Sequence, residues 1–130
     1  MTCLETTFLI DLLRGEKSVS KLKDELDKTE THLSITAPSL MELWVGALLS
    51  KTSEKEKEKI NSLVSSFTFL AMDEAASREA GEITFELLTT KELLDPIGIM
   101  IAGTARSHGE KLVTRDHHYA RIQGLRLLKY

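Results

Sequence analysis

Short β-branched or aromatic runs alternate along the chain with longer segments in which apolar residues recur every three or four positions. The short runs are typical of strands, and they lie at 2–5, 33–36, 67–72, 111–114 and 125–128. The longer segments are typical of helices, and they lie at 8–13, 18–28, 38–49, 54–64, 74–87 and 99–109. This alternation predicts an α/β fold with a short, mostly parallel central sheet and helices on both faces.

Three of the predicted helices carry signals in or before their first turns. Thr6 or Thr7 is expected to cap the first helix. Pro38 suits the first turn of the third helix, and Asp73 is placed to cap the fifth. The buried stripe of the fifth helix is predicted to consist of Ala76, Ala80, Ile83 and Leu87. No repeat or linker interrupts the pattern, so residues 1–130 are predicted to form a single domain.

The composition fits a compact protein with its own hydrophobic core. The chain has 130 residues, of which 42% are hydrophobic, and its one cysteine, Cys3, excludes an intramolecular disulfide. Acidic residues at positions 5 and 11 bound the first apolar run, which excludes a typical signal peptide. No stretch approaches the roughly 18 apolar residues of a membrane span. We therefore expect a soluble, cytoplasmic protein without a membrane segment.

Charge is distributed unevenly along the chain. Residues 106–130 carry six basic and two acidic side chains, a balance of +4, whereas residues 1–105 carry 11 and 18, a balance of −7. The net charge of −3 argues against a general nucleic-acid coat. The basic tail is either a harmless surface excess or a margin beside an acidic site. In the second case, the candidates for holding an RNA backbone are Arg106, Arg115 and Arg121.

Three carboxylates follow predicted strands. Glu5 ends the first strand, Asp116 comes two residues after the strand at 111–114, and Glu42 lies in the helix that follows the strand at 33–36. Because ligands of parallel α/β sheets bind beyond the carboxyl ends of the strands, these side chains are predicted to converge at one edge. The alternatives are a surface acid at position 5 and a helix cap at position 116.

The helix at 38–49 makes Glu42 the most informative of the three acids. Its residues are apolar almost all round, which predicts a mostly buried helix. The polar or minimal positions step by three or four and form one narrow line, Ser39, Glu42, Gly46 and Ser50. A carboxylate in that setting needs a cation, a hydrogen-bond donor or a cleft, unless the line simply faces water.

Clustered carboxylates without basic partners suit hard divalent cations, and Mg²⁺ (or Mn²⁺) commonly serves phosphate chemistry. Such an ion can activate water and stabilise the leaving oxygen of a phosphodiester. The chain lacks the glycine-rich, Walker-type and Gly-x-Ser-x-Gly motifs of other enzyme classes. The adjacent His117 and His118 lack a zinc-site spacing, so an exposed or RNA-contacting role is favoured over zinc binding.

Five segments, in the same order, resemble PIN-domain proteins of the VapC toxin type. They are LETTFLIDLLRG at 4–15, TAPSLMELWVGA at 36–47, the segment at 73–83, IAGTA at 101–105 and LVTRD at 112–116. Each segment alone is weak, but five in the right order are specific, and together they run over nearly the whole chain. The resemblance implies a three-layer α/β/α fold of the PIN type.

The resemblance also implies a metal-dependent endoribonuclease, the toxin of a type II toxin–antitoxin pair, which hydrolyses RNA phosphodiester bonds. It further implies a VapB-like antitoxin as partner and a homodimer. Glu5, Glu42 and Asp116 match positions of the family's acids. By this resemblance they would bind Mg²⁺ (or Mn²⁺) and carry catalysis.

The sequence departs from the family at three positions. Glu5 stands where the family has Asp, Gly98 where an Asp is expected, and His118 where a further acid often occurs. Asp95 lies about one helical turn before Gly98 and is either a further metal ligand or a plain helix cap. These departures motivate an alternative function, a catalytically degenerate PIN-domain binding module that retains antitoxin or RNA binding.

Overall fold

The computed structural model describes residues 1–29, 32–92 and 94–130. Within these ranges lie five strands: β1 (Thr2–Leu4), β2 (Leu33–Thr36), β3 (Thr68–Leu70), β4 (Lys111–Thr114) and β5 (Leu127–Lys129). They form one parallel sheet in the order β3-β2-β1-β4-β5. Cys3 pairs with Ser34 on one side and with Leu112 on the other, so β1 lies at the centre. The predicted α/β fold with a parallel sheet is confirmed.

The described residues also form six α-helices and a 3₁₀ turn at His117–Arg121. The helices are α1 (Thr6–Leu13), α2 (Lys17–Thr29), α3 (Ala37–Leu49), α4 (Ser53–Ser65), α5 (Glu74–Thr90) and α6 (Pro96–Ser107). None of the helices in these ranges has the length and apolar character that crossing a bilayer requires.

Two apolar clusters lie on the two faces of the sheet. Successive strand residues point to opposite faces. Leu4 and Val113 therefore join the cluster built with α1 to α4, whereas Cys3 and Leu112 join the cluster built with α5 and α6. Helices cover both faces of the sheet, as the alternation of elements predicts.

Helix α5 packs closely against α6. Its N-cap is Asp73, whose carboxylate accepts a 2.9 Å hydrogen bond from the Ala76 backbone N–H, as predicted. A Cβ at Gly103 of α6 would lie 2.7 Å from the Ala80 backbone nitrogen, so this helix spacing requires glycine. The predicted buried stripe of α5 is confirmed, and it consists of Ala76, Ala80, Ile83 and Leu87.

Two predictions about α1 and α3 are wrong. The cap of α1 is Glu5 rather than Thr6 or Thr7, because Glu5 Oε2 accepts a 2.9 Å hydrogen bond from the Thr7 backbone N–H. Helix α3 is only partly buried, because an apolar pattern on all sides does not specify which side the rest of the chain covers. Its exposed apolar side chains are Met41, Val45, Leu48 and Leu49.

Candidate functional site

Three neighbouring strands end at one edge of the sheet, and a candidate site residue follows each of them. Glu5 directly follows β1, and Asp116 comes two residues after β4. Glu42 lies in α3, which begins directly after β2. Because β2, β1 and β4 are neighbours in a parallel sheet, the three predicted acids stand at its carboxyl edge.

Glu5 is the most enclosed of these acids, with 3% of its surface exposed. Its carboxylate accepts hydrogen bonds from the Thr7 hydroxyl at 2.8 Å, from the Thr7 backbone N–H at 2.9 Å and from the Thr114 hydroxyl. Burial raises the pKa of Glu5, these hydrogen bonds oppose the rise, and the negative charge of Asp116 adds to it. The alternative of a surface acid at position 5 is wrong, because this carboxylate faces inward.

Thr114 links Glu5 to Asp116. Its hydroxyl donates to Glu5 Oε1 and accepts a 3.0 Å hydrogen bond from the Asp116 backbone N–H. Asp116 Oδ1 caps the 3₁₀ turn by accepting a 3.0 Å hydrogen bond from the His118 backbone N–H, and His118 Nδ1 lies 2.7 Å from the same oxygen. Burial opposes ionisation of Asp116, but these contacts and the charges of His118 and His117 outweigh it and lower its pKa.

Glu42 joins the site through Thr6. The Thr6 hydroxyl lies 2.8 Å from Glu42 Oε1 and 2.9 Å from Ser39 Oγ, and its single proton can serve one of them at a time. Along the polar line of α3, Ser39 is fully buried, Glu42 is half-buried and Gly46 is exposed. The line therefore runs from the interior to solvent, and Glu42 stands where the two meet.

Asp95 begins α6, but its side chain makes no capping hydrogen bond. The exposed carboxylate instead lines a cavity of about 430 Å³ together with Leu94, Asp116 and His118. Asp95 holds the N-cap position of α6, as the helix-cap alternative predicts, but its side chain accepts no capping hydrogen bond, and its role as a metal ligand stays a prediction.

Tyr119 is the site residue that sequence reasoning missed. It is 3% exposed, and a Cβ at Gly98 would lie 3.4 Å from its hydroxyl oxygen. Burial raises the pKa of this phenol above its usual range, and four negative charges raise it further: those of Glu5, Asp116, Glu42 and Asp95. All four carboxylates therefore lie within electrostatic range of one hydroxyl. The only signal in the sequence is the place of Tyr119, three residues after Asp116.

The acids converge, but they are not all within direct reach of one ion. Among residues 1–29, 32–92 and 94–130, one group of three potential ligand side chains has its ligand atoms within 4.8 Å of one another: Asp116, His117 and His118. Glu5 and Glu42 form no such group with Asp116. Donors on opposite sides of a Mg²⁺ ion lie about 4.2 Å apart. These three acids would therefore share one such ion through water molecules or after side-chain movement.

Comparison with known proteins identifies the family. The PIN-domain family model matches residues 2–125 of the chain. The tRNA(fMet)-specific endonuclease VapC of Shigella flexneri is 31% identical over 124 residues, which cover 95% of this chain and 92% of that protein. The chain belongs to the PIN-domain family, in its VapC group. A second relative of the same name, from Salmonella typhimurium, is 29% identical and covers 82% of this chain and 81% of its own length.

Solved structures show the same PIN fold. A chain of VapBC2 from Rickettsia felis, determined bound to a promoter DNA fragment, has a TM-score of 0.92 at 22% identity. A chain of DNA-bound VapBC from Salmonella typhimurium has a TM-score of 0.90 at 26% identity. Each match covers 99% of this chain and 98% of the other. The predicted PIN-like arrangement is therefore confirmed over nearly the whole chain.

The donor set of this PIN domain fits a hard divalent cation. Glu5, Glu42, Asp95 and Asp116 offer carboxylate oxygens, which Mg²⁺ prefers. The hydrogen bonds found at Glu5, Glu42 and Asp116 come from threonine and histidine groups rather than from lysine or arginine. Burial of the Glu5 carboxylate among other negative charges leaves a charge that a cation would balance.

The three predicted RNA-backbone arginines lie in different places, each near a carboxylate. Arg115 Nε lies 2.9 Å from Asp11, beside the site. Arg121, at the end of the 3₁₀ turn, has its Nε 3.9 Å from a Glu92 oxygen. Arg106 lies near the opposite end of α6 from Asp95, with its Nε 2.6 Å from Glu79.

Proposed function

We propose that the chain is a metal-dependent endoribonuclease that hydrolyses RNA phosphodiester bonds, with Glu5, Glu42 and Asp116 as catalytic and metal-binding acids. The observation that carries the proposal is the position of these acids at the carboxyl edge of three neighbouring strands, where Thr114 links Glu5 to Asp116 and Thr6 contacts Glu42. Similarity to two relatives named as endonucleases supports the same class of reaction. Asp95 enters the proposal as an additional ligand, since its side chain is not used as a cap.

The proposed cofactor is Mg²⁺ (or Mn²⁺), because the four acids of the site offer carboxylate oxygens. When bound, such an ion supplies Lewis acidity toward the phosphodiester and makes water more acidic. Hydrogen bonds from neighbouring threonines position the metal-binding carboxylates. Thr7 and Thr114 fix Glu5, and Thr6 orients Glu42.

Asp116 and Glu5 differ in how readily their carboxyl groups ionise. Asp116 is ionised at neutral pH because its pKa lies below the ordinary value. Glu5 ionises less readily because burial raises its pKa, so a bound cation would favour its charged form. Cation binding and ionisation of Glu5 are therefore coupled.

The RNA backbone is proposed to run past Asp116 and the 3₁₀ turn that follows it. Arg115 precedes Asp116 directly, and Arg121 ends the 3₁₀ turn that Asp116 caps. Their guanidinium groups can hold phosphates without reading bases. Arg106 is the weakest of the three candidates, because it lies at the far end of α6 and pairs with Glu79.

The proposed partner is a VapB-like antitoxin, which makes the chain the toxin of a type II toxin–antitoxin pair. The VapBC complexes among the structural neighbours support such a partner. A groove of about 440 Å³ lies between α1, α3 and α4, and Glu42 lines it together with apolar residues such as Leu43 and Ile60 and with the charged residues Arg14, Glu56 and Lys59. An apolar antitoxin segment in this groove would cover Glu42 and block access to the site.

A homodimer in the cytoplasm is the proposed resting assembly. Helices α3 and α5 leave apolar side chains exposed that a second copy would cover: Met41, Val45, Leu48, Leu49, Phe85 and Leu88. Light scattering on the purified chain should give the mass of two copies. A monomer across the micromolar range would contradict this assembly.

The experiment that tests the function is RNA cleavage by the purified chain with Mg²⁺ or Mn²⁺. Initiator tRNA, the RNA in the relatives' name, is the first substrate to use. Glu42→Gln keeps the shape of the side chain and removes its charge, and it should reduce cleavage by about 10²-fold or more. Glu58→Gln, at an exposed position of α4, is the matched control and should cleave like the wild type. Equal cleavage by wild type and Glu42→Gln would reject the mechanism.

The alternative, a catalytically degenerate binding module, is not favoured. It is motivated by Gly98, which stands where the family resemblance predicts an Asp, and by Glu5, which stands where it predicts the shorter acid. Similarity to named endonucleases supports catalysis instead. The buried, hydrogen-bonded carboxylate of Glu5 and the uncommitted carboxylate of Asp95 also keep acids around the site.

A further inference from the structure

A second set of potential metal ligands lies at the rim of the site, where His117 and His118 follow Asp116. One ligand atom of each side chain lies within 4.8 Å of the other two. The imidazole rings stack with centroids 4.4 Å apart, and His118 Nδ1 lies 2.7 Å from Asp116 Oδ1. Neighbouring ligands at about 2.1 Å from one ion are about 3 Å apart, so small side-chain rotations would place all three around one ion.

The rim is open to solvent and carries a fourth donor. His117 is exposed, and the side chain of His118 is 44% exposed. Asp95, whose carboxylate makes no capping bond, lines the same cavity as Asp116 and His118. An ion can therefore enter from solvent and meet two imidazoles, one carboxylate beside them and a second carboxylate in the same cavity.

The nitrogen donors decide which ions such a site prefers. Mg²⁺ takes oxygen ligands and retains its water, whereas imidazole suits the later first-row metals. Glu5, Glu42, Asp95 and Asp116 offer only oxygen donors, but two of the three donors in the group of Asp116, His117 and His118 are imidazole nitrogens. The two groups share Asp116 and differ in the chemistry of every other member.

We propose that Asp116, His117 and His118 form a transition-metal site that binds Co²⁺, Ni²⁺ or Zn²⁺ in preference to Mg²⁺. The lack of a zinc-type spacing in the sequence does not exclude it, because the two imidazole rings stack with their centroids 4.4 Å apart. The proposal shares Asp116 with the proposed nuclease site, but it is tested separately, since ion binding can be measured without RNA.

The test is calorimetric titration of the untagged, full-length chain with CoCl₂ and, separately, MgCl₂, with the visible ligand-field absorption of Co²⁺ as a second readout. The wild type should bind one Co²⁺ at least about tenfold more tightly than Mg²⁺. His118→Asn and His117→Asn should each weaken Co²⁺ binding by about tenfold or more and alter the absorption spectrum. Affinity for Mg²⁺ should change by less than about twofold, because Mg²⁺ does not use imidazole.

The matched control is His108→Asn, which removes an exposed histidine at the end of α6, outside the rim group. It should leave the Co²⁺ affinity unchanged, and circular dichroism should show that all three variants fold. Unchanged Co²⁺ affinity in both His117→Asn and His118→Asn would overturn the proposal. So would a wild type that binds Co²⁺ no more tightly than Mg²⁺. Either result would leave RNA cleavage and its dependence on Glu42 untouched, so the two proposals fail separately.

Discussion

The interior of the candidate site and its rim are built differently. In the interior, the Glu5 carboxylate is 3% exposed and accepts three hydrogen bonds, from two groups of Thr7 and from Thr114. At the rim, Asp95 is exposed and its side chain makes no capping hydrogen bond. His117 is also exposed, and the next residue, His118, is half-buried. The interior is thus fixed before any ligand arrives, whereas the rim can adjust to one.

The departures expected from the family resemblance fall in both parts of the site. His118 is half-buried at the rim, whereas Gly98 is buried beside the Tyr119 hydroxyl. The third departure, Glu5, is in the interior, and it keeps the negative charge. A hydrogen-bonded interior orients its groups strongly, so changes there should affect both stability and reaction, and changes at the rim should affect ligand preference.

The largest expected effect comes from Thr114→Val, which keeps the shape of the side chain and removes its hydroxyl. The hydroxyl donates to Glu5 and accepts from the Asp116 backbone N–H, so the substitution removes one of the three hydrogen bonds to the buried carboxylate and leaves the Asp116 N–H without this acceptor. We expect the free energy of unfolding to fall by about 2–3 kcal/mol. RNA cleavage should fall by about 10²-fold, because both acids lose their positions.

Thr104→Val is the matched control for that prediction. Thr104 is also fully buried, but its hydroxyl donates to the Met100 carbonyl oxygen within α6 and touches no acid. Urea unfolding should show a loss of about 1 kcal/mol, with cleavage within about threefold of wild type. Equal losses of stability and cleavage in the two variants would show that Thr114 has no special role in the interior.

The second prediction compares two glycines of α6. Gly103→Ala would place its Cβ 2.7–2.9 Å from Ala80 atoms, including the backbone nitrogen, and α5 would have to move away. Overpacking of this kind costs about 1–3 kcal/mol, more than the gain in helix propensity. Gly98→Ala, by contrast, meets only the Tyr119 hydroxyl at 3.4 Å and the Leu94 side chain at 3.5 Å. Thermal unfolding should show a clear loss for Gly103→Ala and nearly none for Gly98→Ala.

Much of this arrangement can be predicted from the sequence because it depends on local patterns. Strand β4 and the cap at Asp73 follow from alternation and from residue type, and the order of the elements places Glu5, Glu42 and Asp116 at one edge. Sequence patterns did not predict that Glu5 would cap α1, since this depends on a long side chain folding back on its own backbone. Nor did they predict that Tyr119 would lie against Gly98, which depends on how a 3₁₀ turn packs on a helix.

The third prediction concerns the protonation of Glu5 and Asp116. Carboxyl ¹³C NMR should find that Glu5 titrates above its usual value of 4.5 and that Asp116 titrates below its usual value of 3.8. Folded Glu5 binds its proton more tightly than the unfolded chain does, so its stabilising contribution is present below pH 4.5 and is lost as pH rises through the folded pKa. The contribution of Asp116 is present above pH 3.8 and is lost as pH falls through its folded pKa. A Glu5 signal that titrates below 4.5 would show that the hydrogen bonds to its charged form outweigh its burial.

The smallest expected effect is that of Asp95→Ala, and its value lies in comparison with Asp73→Ala. Both residues precede a helix, but Asp73 accepts a 2.9 Å hydrogen bond from the Ala76 backbone N–H, whereas Asp95 makes no such bond. Loss of a helix cap costs about 1 kcal/mol, so urea unfolding should show this loss for Asp73→Ala and a change below about 0.5 kcal/mol for Asp95→Ala. If Asp95→Ala lowers the free energy of unfolding as much as Asp73→Ala does, the Asp95 carboxylate is a structural cap. It would then not be available as a metal donor at the rim. If Asp95→Ala leaves the free energy of unfolding unchanged and weakens metal-ion binding, the role of Asp95 is to bind the ion.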